Sequence, residues 1–191
     1  MEESDADALA QARAGQSEGF RTLVERHSRA LFRLAYRMTG NEHDAEDVVQ
    51  EAFLRAFHRL HQYDERARFS SWLHRIAANC AYDLLRARKR RDEEPWPETA
   101  EGAETPVDFP ASDPAPDRLT LSAEVRRRVT VAMGRMSAQE KAAFVLRHFE
   151  GMSIAEVGEA LQLETSAAKQ SVLRAVRKVR QVLAPDLGVT P

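Results

Sequence analysis

Apolar residues recur at spacings of three and four along most of this chain. Phe20, Leu23, Val24 and His27 begin a stripe that Leu31, Leu34, Ala35 and Met38 continue, which makes one face of a helix. Thr39-Gly40-Asn41 ends that helix, glycine being a natural terminator. Asp44 or a neighbour caps the next helix. Acidic residues fill its first turn, where the helix dipole favours them. Val48, Val49, Ala52, Phe53, Ala56, Phe57 and Leu60 form its broad apolar face. His61 to Arg68 is polar and reads as a loop. Ser70 or Ser71 caps a further helix, from about Trp72 to Arg90, with Leu73, Ile76, Ala77, Cys80, Leu84 and Leu85 apolar. It ends in the basic run Arg86, Arg88, Lys89, Arg90, Arg91.

A second helical stretch begins near Leu119. Leu121, Val125, Val129, Ala132, Met133 and Met136 form its first stripe, and Phe144, Val145, Leu146 and Phe149 belong to the next helix. Glu150-Gly151-Met152 terminates that one, and Ser153 caps a short helix through Leu161. Glu164-Thr165-Ser166 makes a turn. A longer helix runs from about Ala167 to Leu183, with Ala168, Val172, Val176, Val179 and Leu183 facing inward, and Pro185 closes it. Short helix, tight turn and second helix have the spacing of a helix-turn-helix. No alternating apolar runs compete with these patterns, so the fold class is all-α.

Charge separates the parts. Between Asp92 and Asp117 lie nine acidic residues, six prolines and no basic residue. Such a stretch cannot build a packed core and reads as an extended, self-repelling linker. The whole chain has 28 basic and 30 acidic residues, a net charge of -2. The rest of the chain therefore holds 28 basic against 21 acidic residues, a net of +7. The predicted organisation is a helical domain over 1–91, a linker over 92–118, a helix-turn-helix domain over 119–185 and a tail over 186–191.

Basic domains on an acidic strap direct attention to nucleic acid. Phe69-Ser70-Ser71-Trp72, followed by Arg75, Asn79, Tyr82 and Arg86, interleaves aromatics with polar and basic groups. That pattern can stack unpaired bases and hold the phosphates of a single strand; Phe69 and Trp72 could equally be ordinary core. On the last helix, Ser166, Lys169, Gln170, Arg174, Arg177, Lys178 and Arg180 lie off the apolar stripe. Groups near its start can reach base edges, and the later cations suit phosphates. The acidic helix start, Asp44 to Glu51, is either dipole complementation or a docking face for a basic partner.

Other chemistries find no support. The six histidines show no ligand spacing with acids or cysteine, so no metal or other cofactor is expected. No nucleophile motif or phosphate-cradling glycine loop is present, so no enzymatic activity is expected. Cys80 is the single cysteine, in an apolar helical setting that predicts a small buried residue. No apolar run could span a membrane, and Met-Glu-Glu-Ser-Asp at the start is unlike a signal peptide, which fits a cytoplasmic location.

Together these residues resemble the extracytoplasmic-function branch of the sigma-70 family. Tyr36 to Phe57, with its Asp-Ala-Glu-Asp-Val-Val-Gln-Glu core, is similar to that family's regions 2.1 to 2.2, and Phe69 to Asn79 to its regions 2.3 to 2.4. The resemblance implies a factor that binds core RNA polymerase and directs promoter recognition, strand opening and initiation for a stress- or signal-responsive regulon. It implies docking on the clamp helices of the largest subunit through Asp47, Gln50 and Glu51, with Phe53 and Leu54 beside them. It implies reading and opening of the -10 element by Arg66, Arg68, Phe69, Ser70, Trp72, Arg75, Asn79, Tyr82 and Arg86. The second domain resembles region 4. It would read the -35 element through Ser166, Lys169, Gln170, Arg174, Arg177 and Lys178 and pack on the flap of the second-largest subunit. The acidic linker would thread the polymerase, and an anti-sigma factor is an implied partner. Two segments depart from the family pattern. The usual Gly-Thr-Val-Lys-Ser-Arg is Ser166-Ala-Ala-Lys-Gln-Ser171, and the usual Leu-Pro is Met136-Ser137. A repressor or activator acting without polymerase would need a ligand pocket or dimer segment, and a purely protein-binding helical adaptor would show no salt-dependent promoter binding.

Overall fold

The computed structural model describes residues 4–66, 68–93 and 123–183. The acidic linker, the helix start expected near Leu119, Pro185 and the tail lie outside the described residues. All regular elements among the described residues are helices. They belong to two compact units, Met1–Leu85 and Arg86–Pro191.

The first unit contains α1 (Asp5–Arg13), α2 (Ser17–Thr39), α3 (Glu42–Arg59), a 3-10 turn at Leu60–Gln62 and the main part of α4 (Phe69–Glu93). Helix α1 is absent from the apolar pattern because it buries only Ala8 and Leu9. Its signature is a cap: the Asp7 amide donates to the Ser4 hydroxyl and the Ser4 amide to the Asp7 carboxylate. Gly19 lets α2 start against it. A Cβ there would overlap the Ala8 carbonyl oxygen and stand 2.6 Å from the Ala12 nitrogen. Helix α2 ends at Gly40, whose φ of 73° lies in the left-handed region that glycine tolerates. Asn41, not Asp44, caps α3: its side chain accepts from the Asp44 amide at 2.9 Å, and Asp44 sits buried in the first turn.

Leu23, Leu31, Leu34 and Met38 of α2, Val48 and Phe53 of α3, and Leu73, Ile76 and Cys80 of α4 are buried. Between them Ala35, Ala45, Ala52, Ala56, Ala77, Ala78 and Ala81 are wholly enclosed; such small side chains let helices approach closely. Phe57, expected on the buried face, is 53% exposed and meets Phe20 edge-on at 5.0 Å and His58 at 6.0 Å. Burial pushes the Cys80 thiol up to about 11, so it stays protonated and unreactive. Helix α4 starts at Phe69 rather than Trp72, and both candidate capping serines fall inside its first turn.

The second unit holds α5 (Ala123–Gly134), α6 (Ala138–His148), α7 (Ile154–Leu161) and α8 (Thr165–Leu183). Ser137 and Ser153 cap α6 and α7 in reciprocal boxes with Glu140 and Glu156. Phe149 falls past the end of α6 and is 41% exposed, against its expected place in the stripe. Helix α8 packs on α5, α6 and α7. It begins two residues earlier than its pattern predicts, because the turn is completed by Gln162 in the left-handed region at φ 54°. The Leu163 amide then donates to the Gly158 carbonyl at 2.8 Å. A Cβ on Gly158 would stand 2.9 Å from the Leu163 carbonyl oxygen, so this tight turn needs glycine at 158.

No helix among the described residues is long and apolar enough to cross a membrane. Among the same residues no group of three His, Cys, Asp or Glu could hold a metal ion.

Two stability outcomes follow from the 158–164 turn. Gly158→Ala is expected to destabilise the second unit by about 1–3 kcal/mol through overpacking against backbone. Gln162→Gly should stabilise it by about 0.5–1 kcal/mol by relieving the left-handed strain. Far-UV circular dichroism in a urea titration reads both, since neither tryptophan lies within 123–183.

Candidate nucleic-acid interface

Helix α3 turns one row outward. Asp47, Gln50, Glu51 and Leu54 are exposed at spacings of three and four, while Phe53 is buried behind them. Leu54 is 57% exposed, an apolar patch beside acids. Arg55 ties the row to α4, with its Nε 2.6 Å from the Glu51 carboxylate and an Nη 3.5 Å from Asp83. The Glu51 hydrogen bond foremost raises the Arg55 pKa, so the guanidinium stays charged.

The loop before α4 and the start of α4 meet in an aromatic cluster. The Tyr63 ring lies 5.5 Å from Phe69 and 5.2 Å from Trp72, and Phe69 lies 5.7 Å from Trp72. His27 of α2 closes the cluster edge-on to Phe69 at 5.3 Å. Tyr63 and Phe69 are buried, whereas Trp72 is partly exposed. The two alternatives for the Phe-x-x-Trp pair therefore divide: Phe69 is core and Trp72 offers a partly open ring. Around it Arg66 and Arg68 are exposed, and Ser70, Arg75, Asn79 and Tyr82 are half-buried. Arg86, Arg88, Lys89 and Arg90 follow in exposed or half-exposed backbone turns of α4, giving a basic end. Within the loop the Arg66 amide donates to Asp64 Oδ1 at 3.0 Å.

On α8, Ser166, Lys169, Gln170, Arg174 and Arg177 are all exposed, at positions that a 3.6-residue repeat brings to one side. Ala168, Ser171, Val172 and Ala175 are buried on the other. Lys178 sits at the rim of that row. Its Nζ is 2.6 Å from the Glu140 carboxylate and donates to the Arg135 carbonyl at 2.8 Å. Burial opposes ionisation of Glu140, but bonds from Lys178 and the Ser137 amide, with the charge of Arg174, prevail and hold its carboxyl below the ordinary range.

Ser171, where the resembled family carries arginine, faces the core and not the row. It is 1% exposed, accepts from Gln139 Nε2 of α6 at 2.8 Å and donates to the Ala167 carbonyl. The substitution therefore clasps α6 to α8. Residues that the sequence reading did not place in these surfaces also shape them. Tyr63 and His27 complete the aromatic cluster, and Arg13 reaches the Tyr63 carbonyl from α1. An aromatic six residues before Phe69 was the available signal for Tyr63; nothing in the pattern marks Arg13.

The Glu140 pair sets a pH dependence. A depressed carboxylate stabilises above the unfolded value of 4.5, and that contribution is lost as pH falls through the folded value. Glu140→Gln is expected to lower stability by about 1–2 kcal/mol at neutral pH. As pH falls from 4.5 through the lowered folded value, the variant and the parent should converge in denaturant titrations.

Residues 23–91 match Sigma-70 region 2, and residues 126–179 match Sigma-70, region 4. The ECF RNA polymerase sigma factor SigE of Mycolicibacterium smegmatis is 34% identical over 168 residues. That match covers 88% of this chain, which spans 63% of the length of SigE. The RNA polymerase sigma factor CnrH of Cupriavidus metallidurans is 31% identical over 188 residues, 97% of this chain and 98% of its own. The solved structure of CnrH in complex with the cytosolic domain of CnrY aligns over 96% of this chain and 99% of that one, with a TM-score of 0.61 at 28% identity. Region 2 falls on the α3 row and the aromatic cluster, region 4 on the α7–α8 pair, so the chain belongs to the extracytoplasmic-function branch of the sigma-70 family of RNA polymerase sigma factors, which direct transcription initiation.

Proposed function

We propose that each exposed row meets a different part of the initiation complex. The observation that carries this reading is the α8 row, where five polar or basic side chains stand in solvent on the second helix of a helix-turn-helix. Ser166, Lys169 and Gln170 near its start contact base edges of the -35 element, and Arg174 and Arg177 contact phosphates. Lys178 is engaged with Glu140 and contributes by holding α8 on α6, adding charge at the rim.

The first unit docks on the clamp helices of the largest polymerase subunit through Asp47, Gln50, Glu51 and Leu54, with Phe53 fixing the helix from behind. The acidic residues suit a basic partner surface, and exposed Leu54 supplies apolar contact at its centre. Promoter strand opening follows at the aromatic cluster. Trp72 stacks an unpaired base, Phe69 supports it from the core, and Arg66, Arg68, Ser70, Arg75, Asn79, Tyr82 and Arg86 hold the separated strand. The domains are 1–91 and 119–185, with 186–191 as a tail. The acidic segment 92–118 threads the polymerase channel, and the helix-turn-helix domain also rests on the flap of the second-largest subunit.

The protein acts in the cytoplasm, without catalysing a reaction of its own, for a stress- or signal-responsive regulon. An anti-sigma factor that covers the polymerase-docking faces is the expected regulator; CnrH, solved with the cytosolic domain of CnrY, supports this partner class. Affinity capture that recovers core polymerase from cells under all conditions, and never a dedicated inhibitor, counts against it.

Run-off transcription with core polymerase on genomic fragments tests the main reading; initiation from no fragment by folded protein would sink it. Trp72→Ala should weaken open-complex formation by about 1–3 kcal/mol while leaving polymerase binding intact. Lys169→Ala and Arg174→Ala should weaken promoter binding, and the salt slope of an Arg174→Ala holoenzyme should fall by about 1. Unchanged salt slopes would remove α8 from the interface.

A further inference from the structure

Helix α1 lies before the residues that match region 2, yet it grips the aromatic cluster from two sides. At its end, Arg13 Nη2 donates to the Tyr63 carbonyl at 2.6 Å and Nη1 lies 2.5 Å from the Glu65 carboxylate. The same guanidinium stands 5.7 Å from the centre of the Tyr63 ring. At its start, the Asp5 carboxylate lies 3.1 Å from Arg26 and 3.0 Å from His27 Nε2, and His27 is the ring that meets Phe69. Gly19 removes the side chain that would hold α1 off α2.

These contacts differ in weight. Glu65 is 71% exposed, so its ion pair is a weak surface bond. The bond to the Tyr63 carbonyl is part-buried and charge-assisted, and it holds main chain rather than a replaceable side chain. Tyr63 is the hinge of the arrangement. Its ring packs on Phe69 and Trp72, and its carbonyl begins the loop that carries Arg66 and Arg68. A planar fork satisfies carbonyl, carboxylate and ring face together; an ammonium has no such shape.

We propose that Arg13 is a positioning residue for promoter opening: from outside the region 2 match, it locks the loop at 63–66 and the Trp72 ring in the geometry that receives the separated strand. This inference rests on the reading that the aromatic cluster meets the -10 element. The polar contacts of Arg13 fall on Tyr63 and Glu65 and not on the α3 row, so its loss should leave polymerase docking in place. The deficit should appear only where the loop must capture bases from a closed duplex.

The test compares full-length Arg13→Gln, Arg13→Lys and Trp72→Ala with the parent, each as holoenzyme, on a duplex promoter and on the same promoter with a mismatched, pre-opened -10 region. Thermal unfolding of each variant accompanies the assay. Arg13→Gln is expected to lower duplex run-off about tenfold, with near-parental activity on the pre-opened template and unchanged polymerase affinity. Arg13→Lys should recover only part of the loss. Equal loss on both templates, parental activity on the duplex, or full rescue by lysine would each overturn the positioning role. If Arg13→Gln does not fold, Arg13→Lys alone decides: a deficit confined to the duplex supports the proposal and any other pattern rejects it. Trp72→Ala separates the two claims, because parental duplex opening by that variant would reject the cluster reading itself, whatever Arg13 does.

Discussion

A helix can bury only one side in a small unit, and the side it buries decides the side it offers. On α3, burying Ala45, Val48, Ala52, Phe53 and Ala56 forces Asp47, Gln50, Glu51 and Leu54 outward. On α8, burying Ala168, Ser171, Val172 and Ala175 does the same for Ser166, Lys169, Gln170, Arg174 and Arg177. The apolar stripe therefore acts as the aiming device for every polar group that recognises a partner. A one-residue change in its phase would rotate a recognition row by about 100° and remove it from reach. Much of the stripe is alanine, whose small side chain lets neighbouring helices come close and hold that phase.

The aromatic cluster is arranged differently. Tyr63, Phe69 and His27 are drawn from a loop and two helices; Tyr63 and Phe69 are buried, and the Trp72 ring is left partly open. A ring supported on one face by other rings loses little side-chain freedom when a base stacks on the other. Arg66 and Arg68 of the preceding loop are exposed, where cations can approach phosphates in water. The polar bonds that brace this arrangement, from Arg13 and Asp5, lie on the side of α1.

Polar groups inside the second unit have a structural role. Glu140 joins the cap of α6 to Lys178 on α8, and the adjacent Gln139 joins α6 to Ser171, about two turns before Lys178. Both links run between the same two helices and both use residues at helix starts. The family's usual arginine at position 171 has no counterpart here because that position points into the core and carries the clasp. The recognition row opposite it holds Lys169, Arg174 and Arg177.

Sequence periodicity alone determined the all-α class, the stripes of α2, α3, α4, α6 and α8, the helix-turn-helix and the rows opposite those stripes. Each of these depends on neighbours within about four residues, and such local order is written directly into residue spacing. The Ser153 cap of α7 was legible for the same reason. Tertiary structure decided what spacing cannot carry. It separated Phe69, which is enclosed, from Trp72, which is not, although the two sit one helical turn apart. It left Phe57 and Phe149 exposed despite their apolar character, and it turned Lys178 inward to Glu140. It also gave α1 a place, because that helix is held by Gly19, Arg13 and Asp5 and not by an apolar face. Contacts between residues 50 positions apart, such as Arg13 with Tyr63, have no period to reveal them. They exist only once the helices have packed.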